Sequence, residues 1–142
     1  MPTAKILTGV VYQNRSAIML ARIVGIDYSG STVTGEGKQI QQSDVSALTY
    51  SVIDLVTETA VTNHDAVSIY STITSWVFNT LQTPAIWTGK VDATGYNFRY
   101  TMATTAFPTA ARKYRVEFKF TTTGSIVSTV PFDVQSLKVY MS

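Results

Sequence analysis

The residue best suited to chemistry is the single histidine, His64, because histidine titrates near neutral pH and can act as a general base. It stands between Asn63 and Asp65 in a segment with turn chemistry, and no nucleophile can be identified beside it. The chain has no cysteine, and one histidine cannot supply the three or four ligands of a zinc site. We therefore predict a plain surface histidine and a protein without catalytic residues, metal or cofactor.

Two loops partly match ligand-binding motifs but lack the required residues. In the glycine-rich segment 30–39, Thr32 stands where a phosphate-binding loop needs its first glycine, and Gln39 replaces the hydroxyl residue that would hold magnesium. Asp92 is the one acidic residue of the segment 92–95, whereas a calcium loop needs several at alternate positions. Both segments are predicted to be ordinary loops.

Several aromatic residues could form a platform on which a sugar or a base stacks, namely Trp76, Trp87, Tyr96, Phe98 and Tyr100. The alternative, which we favour for most of them, is that they fill the core. Trp87 differs because it lies between Pro84 and Gly89. We predict that Trp87 is exposed and anchors an interface, since tryptophan is enriched in such anchors.

The clearest structural element is the segment from Tyr114 to Phe120, in which apolar and charged residues alternate strictly. Because side chains in a β-strand have a period of two, this pattern predicts a strand with one buried aromatic face and one charged face. The segment 121–124 then predicts a hairpin, with Gly124 supplying the positive φ, and a last strand over 130–134.

One helix is predicted, over residues 71–82. It is supported by a stripe of apolar residues with helical spacing, namely Ile69, Ile73, Trp76, Val77 and Leu81. Ser71 or Thr72 would cap its start, and Pro84 would end it.

The composition favours one domain made mostly of β-strands. The chain has 142 residues, of which 45% are hydrophobic and 14% charged, and β-branched and aromatic residues are frequent. The net charge is +2 with lysines and arginines scattered singly, which argues against nucleic-acid binding. No segment predicts a membrane span or a convincing signal peptide, so we expect synthesis in a cytoplasm and no membrane partner.

These elements together predict an all-β protein, an immunoglobulin-like β-sandwich of about seven strands with one short helix. Residues 1–14 would form an N-terminal arm or edge strand, and residues 15–142 a single sandwich domain. Phe107, Pro108 and Tyr114 resemble the structural corner of immunoglobulin-like domains, in which a tyrosine hydrogen-bonds back across the turn before its strand. Without cysteine, the disulfide of antibody domains is missing.

From about Trp87 to Val134, the chain resembles small virion proteins of tailed bacteriophages. The resemblance is carried by Trp87, Asp92-Ala93-Thr94-Gly95-Tyr96-Asn97-Phe98-Arg99, Phe107-Pro108, Tyr114-Arg115-Val116-Glu117-Phe118 and Phe132-Asp133-Val134. These motifs are structural and assign no catalytic residue. They imply an immunoglobulin-like virion component, such as a capsid decoration or cement protein, or a neck or tail adaptor.

The leading hypothesis is a non-enzymatic decoration or cement protein that stabilises a capsid through contacts with its own copies and with other virion proteins. Residues 5–12 would add as a strand to a neighbour's sheet edge, so deleting residues 1–13 would abolish assembly without unfolding the domain. The predicted interface residues are Ile6, Leu7, Val10, Val11, Tyr12 and Trp87.

Two alternatives remain open. The first is a neck or tail adaptor, which would share with the leading hypothesis a location in the virion and assembly in the host cytoplasm. The second is a carbohydrate-binding β-sandwich that uses Trp87 and the aromatic residues near it.

Overall fold

The computed structural model describes residues 7–25 and 38–140, so Ile6 and residues 30–37 of the glycine-rich segment lie outside the described residues. The described residues form eleven β-strands: β1 (Leu7–Tyr12), β2 (Ala17–Ala21), β3 (Val24–Gly25), β4 (Lys38–Gln39), β5 (Val45–Asp54), β6 (Thr59–Ala60), β7 (Val67–Ser68), β8 (Val77–Gln82), β9 (Tyr96–Met102), β10 (Lys113–Thr122) and β11 (Val127–Leu137). They also form two short helices, α1 (Ile73–Trp76) and α2 (Ala85–Thr88), and two 3₁₀ turns at Gln42–Asp44 and Tyr70–Thr72.

The protein is an all-β sandwich of two sheets, as the sequence predicts. The larger sheet has the order β1-β11-β10-β5-β6, with β7 also paired to β5, and the smaller has the order β2-β9-β8. β3 and β4 form a separate two-stranded ribbon. The strands outnumber the predicted seven because β3, β4 and β7 have 2 residues each, too few to show a periodicity in sequence.

β10 lies near the centre of the larger sheet, between β5 and β11. Its inward residues Tyr114, Val116, Phe118 and Phe120 are fully buried, as the alternation predicts. Phe118 meets Phe98 of β9 edge to face across the sandwich, with ring centroids 4.8 Å apart. The two sheets therefore share one aromatic core.

The predicted helix over residues 71–82 is wrong for most of its length. The helix α1 ends at Trp76, and the chain continues as β8, in which Val77 pairs with Phe98. Ile69 and Val77 are both buried, so the apolar stripe does mark residues that face the core. Pairing with β9 stabilises the strand, whereas a short helix of this composition would be marginal on its own.

The hairpin between β10 and β11 forms, but its positive φ is at Ser125 (φ 62°) rather than at Gly124. The Thr122 N–H donates to the Ile126 carbonyl at 2.8 Å and closes the turn. β11 is longer than the sequence predicts because it pairs with β10 on one side and with β1 on the other.

Tyr114 closes the turn that precedes β10. Its hydroxyl accepts a hydrogen bond from the Thr109 N–H (3.0 Å) and donates one to the Thr109 carbonyl (3.4 Å). Its ring packs edge-on against Phe107, which is also fully buried, while Pro108 between them in sequence is exposed. The corner at Phe107, Pro108 and Tyr114 thus ties the connection after β9 to the start of β10.

Candidate functional site

β1 is the outermost strand of the larger sheet and runs parallel to β11. Leu7 pairs with Phe132, and Tyr12 pairs with Leu137. From Leu7 to Tyr12 the N-terminal segment is therefore an edge strand that pairs within its own domain.

The backbone of β1 directs polar groups away from the domain. The Gln13 N–H donates to the Leu137 carbonyl at 2.9 Å, which sets the direction of the alternation along β1. Because backbone groups of successive strand residues point to opposite sides, those of Thr8, Val10 and Tyr12 point away from β11. No strand among residues 7–25 and 38–140 pairs with this outer edge of β1.

The side chains of β1 divide between the core and the surface. Val10 is 63% exposed and Tyr12 is 55% exposed, whereas Val11 is buried and Leu7 packs against the core. Val10 and Tyr12 are thus available to a partner, and Leu7 and Val11 are not, contrary to the predicted interface. Deleting residues 1–13 would remove the core packing of Leu7 and Val11, so we now expect the deletion to destabilise the domain as well as its assembly.

β2 is the corresponding edge strand of the smaller sheet. The short connection of residues 13–16 places β1 and β2 on the same side of the sandwich, which we call the open side. Ile18 on β2 is 63% exposed, and Leu137, the partner of Tyr12, is also exposed. The open side therefore combines two strand edges with exposed apolar side chains.

The opposite edges of both sheets are covered. On β5, the Val52 N–H donates to the His64 carbonyl at 2.7 Å, between the stretches that pair with β6 and β7. On β8, the Gln42 side chain donates to the Val77 carbonyl at 2.7 Å, and the Gln42 N–H donates to Asn79 Oδ1 at 2.8 Å. Covering an edge in this way prevents pairing with another chain, so the open side is the exception.

Trp87, the other predicted interface residue, is not exposed. It lies on α2 with 9% of its surface accessible, and its ring packs against Tyr96 with centroids 5.2 Å apart. Its Nε1–H donates to Asp92 Oδ1 at 2.9 Å, and the same oxygen accepts the N–H groups of Thr94 and Gly95. The prediction of an exposed anchor is wrong, because the side chain closes over the turn that Asp92 organises.

His64 is buried, so the prediction of a plain surface histidine is also wrong. Its Nδ1 is 2.9 Å from the hydroxyl of Tyr50, and its Nε2 is 2.8 Å from the Thr105 hydroxyl. Tyr50 is buried, whereas Thr105 is exposed. The three side chains form a hydrogen-bonded chain from the core to the surface.

The hydrogen-bonded side chains of Tyr50, His64 and Thr105 are all uncharged at neutral pH, which limits the reactions they could catalyse. Burial lowers the pKa of His64, so the imidazole is neutral at neutral pH. Burial and the neighbouring phenol of Tyr100 raise the pKa of Tyr50 to about 12, so Tyr50 is neutral as well. A hydroxyl–imidazole pair catalyses acyl transfer when an anionic group stabilises the imidazolium, and a neutral phenol does not supply that charge.

A shallow groove opens beside Thr105 and is lined by Asp54, Thr62, Asn63, Pro108 and Tyr114, among others. The Asp54 carboxylate forms an ion pair with Arg112. Although burial raises the pKa of Asp54, hydrogen bonds from Arg112 and from backbone N–H groups outweigh it and lower the pKa. The carboxylate of Asp54 in this groove is therefore already paired with the guanidinium of Arg112.

The partners of His64 could not be found from local spacing. Tyr50 precedes His64 by 14 residues, and Thr105 follows it by 41. The available signal is the alternation of Leu48, Tyr50 and Val52, which places the Tyr50 hydroxyl in the core, where it needs a hydrogen-bond partner.

The chain matches no protein-family model, no curated protein and no solved structure. Within the described residues, no three histidine or acidic side chains come together as a metal site would require. In the same part of the chain, no helix is long and apolar enough to cross a membrane. The open side and the buried histidine are thus the two features to which a function can be tied.

Proposed function

We propose that this chain is a non-enzymatic structural protein of a tailed-bacteriophage virion, a decoration or cement protein that is assembled in the host cytoplasm and stabilises the capsid shell. The proposal is carried by the contrast between the edges of the sandwich. Two edges are covered by the protein's own residues, while β1 and β2 end their sheets with no further strand among residues 7–25 and 38–140 and carry exposed apolar side chains. An open edge is what a chain needs in order to extend its sheet into a neighbour.

We infer further that the sandwich is immunoglobulin-like. Three observations support this inference: a sheet of order β2-β9-β8 packs on one that begins β1-β11-β10-β5, the first strand runs parallel to the last, and Tyr114 bonds to the backbone of Thr109. Two residues after Tyr114, where antibody domains carry a cysteine, stands the fully buried Val116. A buried apolar residue therefore stands at the position of that cysteine.

A neck or tail adaptor could use the same open side, and copy number separates it from a decoration protein. We expect quantitative mass spectrometry of purified particles to find the chain in numbers comparable to the capsid subunits. A count that matches a single ring would assign it to the neck or tail instead. Absence from the particles would overturn the virion proposal.

The assembly surface can be tested on the purified protein with one substitution and a matched control. Val10→Lys places a charge on the outer edge of β1, and Ile86→Lys places the same charge on α2, where Ile86 is 78% exposed. We expect the native protein to be oligomeric, Val10→Lys to be monomeric and Ile86→Lys to be unchanged, as measured by light scattering at micromolar concentration. Equal masses for all three proteins would show that the β1 edge is not the assembly surface.

A further inference from the structure

The outer edge of β1 is complementary to itself. Thr8, Val10 and Tyr12 all direct their N–H and carbonyl groups away from β11, and they are evenly spaced about Val10. The Tyr12 carbonyl also accepts the Arg15 N–H at 3.3 Å, and a carbonyl oxygen has a second lone pair for another donor. A second copy of the same edge, turned by 180°, presents matching donors and acceptors at every one of these positions.

We propose that two copies of this chain pair antiparallel through β1, about a two-fold axis at Val10, and join their larger sheets into one continuous sheet. This inference rests on the proposed function, since it names the second copy as the partner at the open side. An antiparallel pair is the arrangement in which two identical edges form a closed two-fold dimer.

The register follows from the positions of the outward groups. With Val10 opposite Val10 of the second copy, Thr8 falls opposite Tyr12 of that copy, and all three residues exchange hydrogen bonds. A shift of two residues in either direction leaves one of the three without a partner among Leu7–Tyr12. The register with Val10 opposite Val10 is therefore the one in which all three outward-facing residues find hydrogen-bond partners.

The paired stretch itself carries no charge and leaves room at Gly9. The strand Leu7–Tyr12 has no charged side chain, so no like charges face each other within the paired stretch, and the nearest described cation along the chain is Arg15 in the turn after β1. On the outer face of the sheet, Asp133 beside Thr8 forms a bidentate ion pair with Arg115, and the exposed Lys113 lies level with Val10, two strands away. Gly9 falls opposite Val11 of the second copy, and a Cβ built on Gly9 meets no atom within 4 Å.

The side chains that the pairing covers are those left exposed in the single chain. Val10 is 63% exposed and would pack against its own copy, while Tyr12, at 55%, would lie beside Thr8 of the second copy. Cross-strand pairs of β-branched and aromatic residues are favourable, so the same contact buries apolar surface and satisfies the backbone.

Engineered cysteines test the register directly, because the chain has no cysteine of its own. Residues opposite each other in a hydrogen-bonded antiparallel pair have Cα atoms about 5.5 Å apart, within the range of a disulfide. We expect Val10→Cys to form a cross-linked dimer on oxidation. Thr8→Cys alone should not, since its two copies would lie roughly 14 Å apart, but an equimolar mixture of Thr8→Cys and Tyr12→Cys should.

The control is Ile86→Cys, an exposed position on α2 that reports random collision. Cross-linking of Thr8→Cys with itself as efficiently as Val10→Cys would overturn the register. If Val10→Cys does not cross-link although the native protein is oligomeric, the β1 pairing is wrong while the virion proposal stands on particle copy number. If the protein is monomeric and does not cross-link, self-pairing is excluded, and another virion protein becomes the partner to test.

A second substitution separates backbone pairing from side-chain packing. Val10→Pro removes the outward N–H and leaves the bonds between β1 and β11 in place, because the Val10 N–H does not point toward β11. Val10→Thr keeps that N–H with a similar volume. We expect Val10→Pro to abolish the dimer and Val10→Thr to retain it, and an unchanged dimer in Val10→Pro would contradict pairing through the strand edge.

Discussion

The hydroxyl of Tyr50 and Nδ1 of His64 lie 2.9 Å apart in the interior of the sandwich. Both side chains are buried. The other imidazole nitrogen, Nε2, contacts the hydroxyl of Thr105, which lies at the surface. The contact holds the loop that follows β6 against β5, where the His64 carbonyl also accepts the Val52 N–H. A titratable ring thus stabilises the segment that covers this edge of the larger sheet.

We expect acid to destabilise the protein through His64. Burial lowers the pKa of His64 in the folded state below its unfolded value of about 6.5, so the unfolded state binds more protons as the pH falls. Stability is then complete above about pH 6.5 and decreases as the pH falls toward the folded-state pKa. Tyr50, whose pKa is about 12, does not titrate in this window.

The measurement is the urea midpoint of unfolding as a function of pH, for the native protein and for His64→Gln. The variant keeps a hydrogen-bonding side chain but cannot be protonated. We expect the native midpoint to fall between pH 7 and pH 5 and that of His64→Gln to change less. Parallel curves would assign the acid sensitivity to carboxylates such as Asp54.

Removing the hydroxyl of Tyr114 should weaken the corner before β10. Tyr114→Phe leaves the Thr109 N–H without its partner at 3.0 Å, and a lost hydrogen bond of this kind costs about 1 kcal/mol. Tyr140→Phe is the control, since Tyr140 is 87% exposed and should be indifferent to the change. The measurement is the free energy of unfolding of both variants by chemical denaturation. Equal stability of Tyr114→Phe and Tyr140→Phe would mean that water replaces the hydrogen bond at the corner.

The stability of the domain should depend on Trp87 and not on its neighbour Ile86. Trp87→Ala removes a ring that packs on Tyr96 and donates to Asp92, with an expected loss of about 3 kcal/mol in the free energy of unfolding. Ile86→Ala, at a position 78% exposed, should change the free energy of unfolding by less than about 0.5 kcal/mol. Similar small effects at both positions would restore Trp87 as a candidate surface anchor for a glycan or a protein.

Two glycines should respond in opposite directions to alanine. At Gly95 the φ is 102°, and an added Cβ would lie 2.5 Å from the Gln82 carbonyl oxygen, so Gly95→Ala should be strongly destabilising. At Gly9 the added Cβ has no neighbour within 4 Å, so Gly9→Ala should stabilise the monomer by about 0.4–1 kcal/mol through the unfolded state. Thermal unfolding of the two variants checks both signs, and a destabilised Gly9→Ala would point to a strained backbone in β1.

The alternation from Tyr114 to Phe120 was enough to predict β10, and the low charge and β-branched composition were enough to predict a mostly β protein. These features are local, because a period of two appears in any strand with one buried face. The prediction of a helix over residues 71–82 was wrong for a related reason. The apolar stripe marks burial, but only pairing with β9 decides that Val77 and the residues after it form a strand.

The candidate sites depended on contacts that no local pattern contains. His64 is buried because Tyr50 and Thr105 meet it from distant parts of the chain, and Trp87 is buried because the turn at Asp92 folds toward it. The sequence by itself indicated only that residues 5–12 could form a strand or an extended arm. Only the tertiary structure decided that this strand pairs with β11 on one side and leaves its other edge open, since strand order is set by long-range packing and not by the residues of the strand.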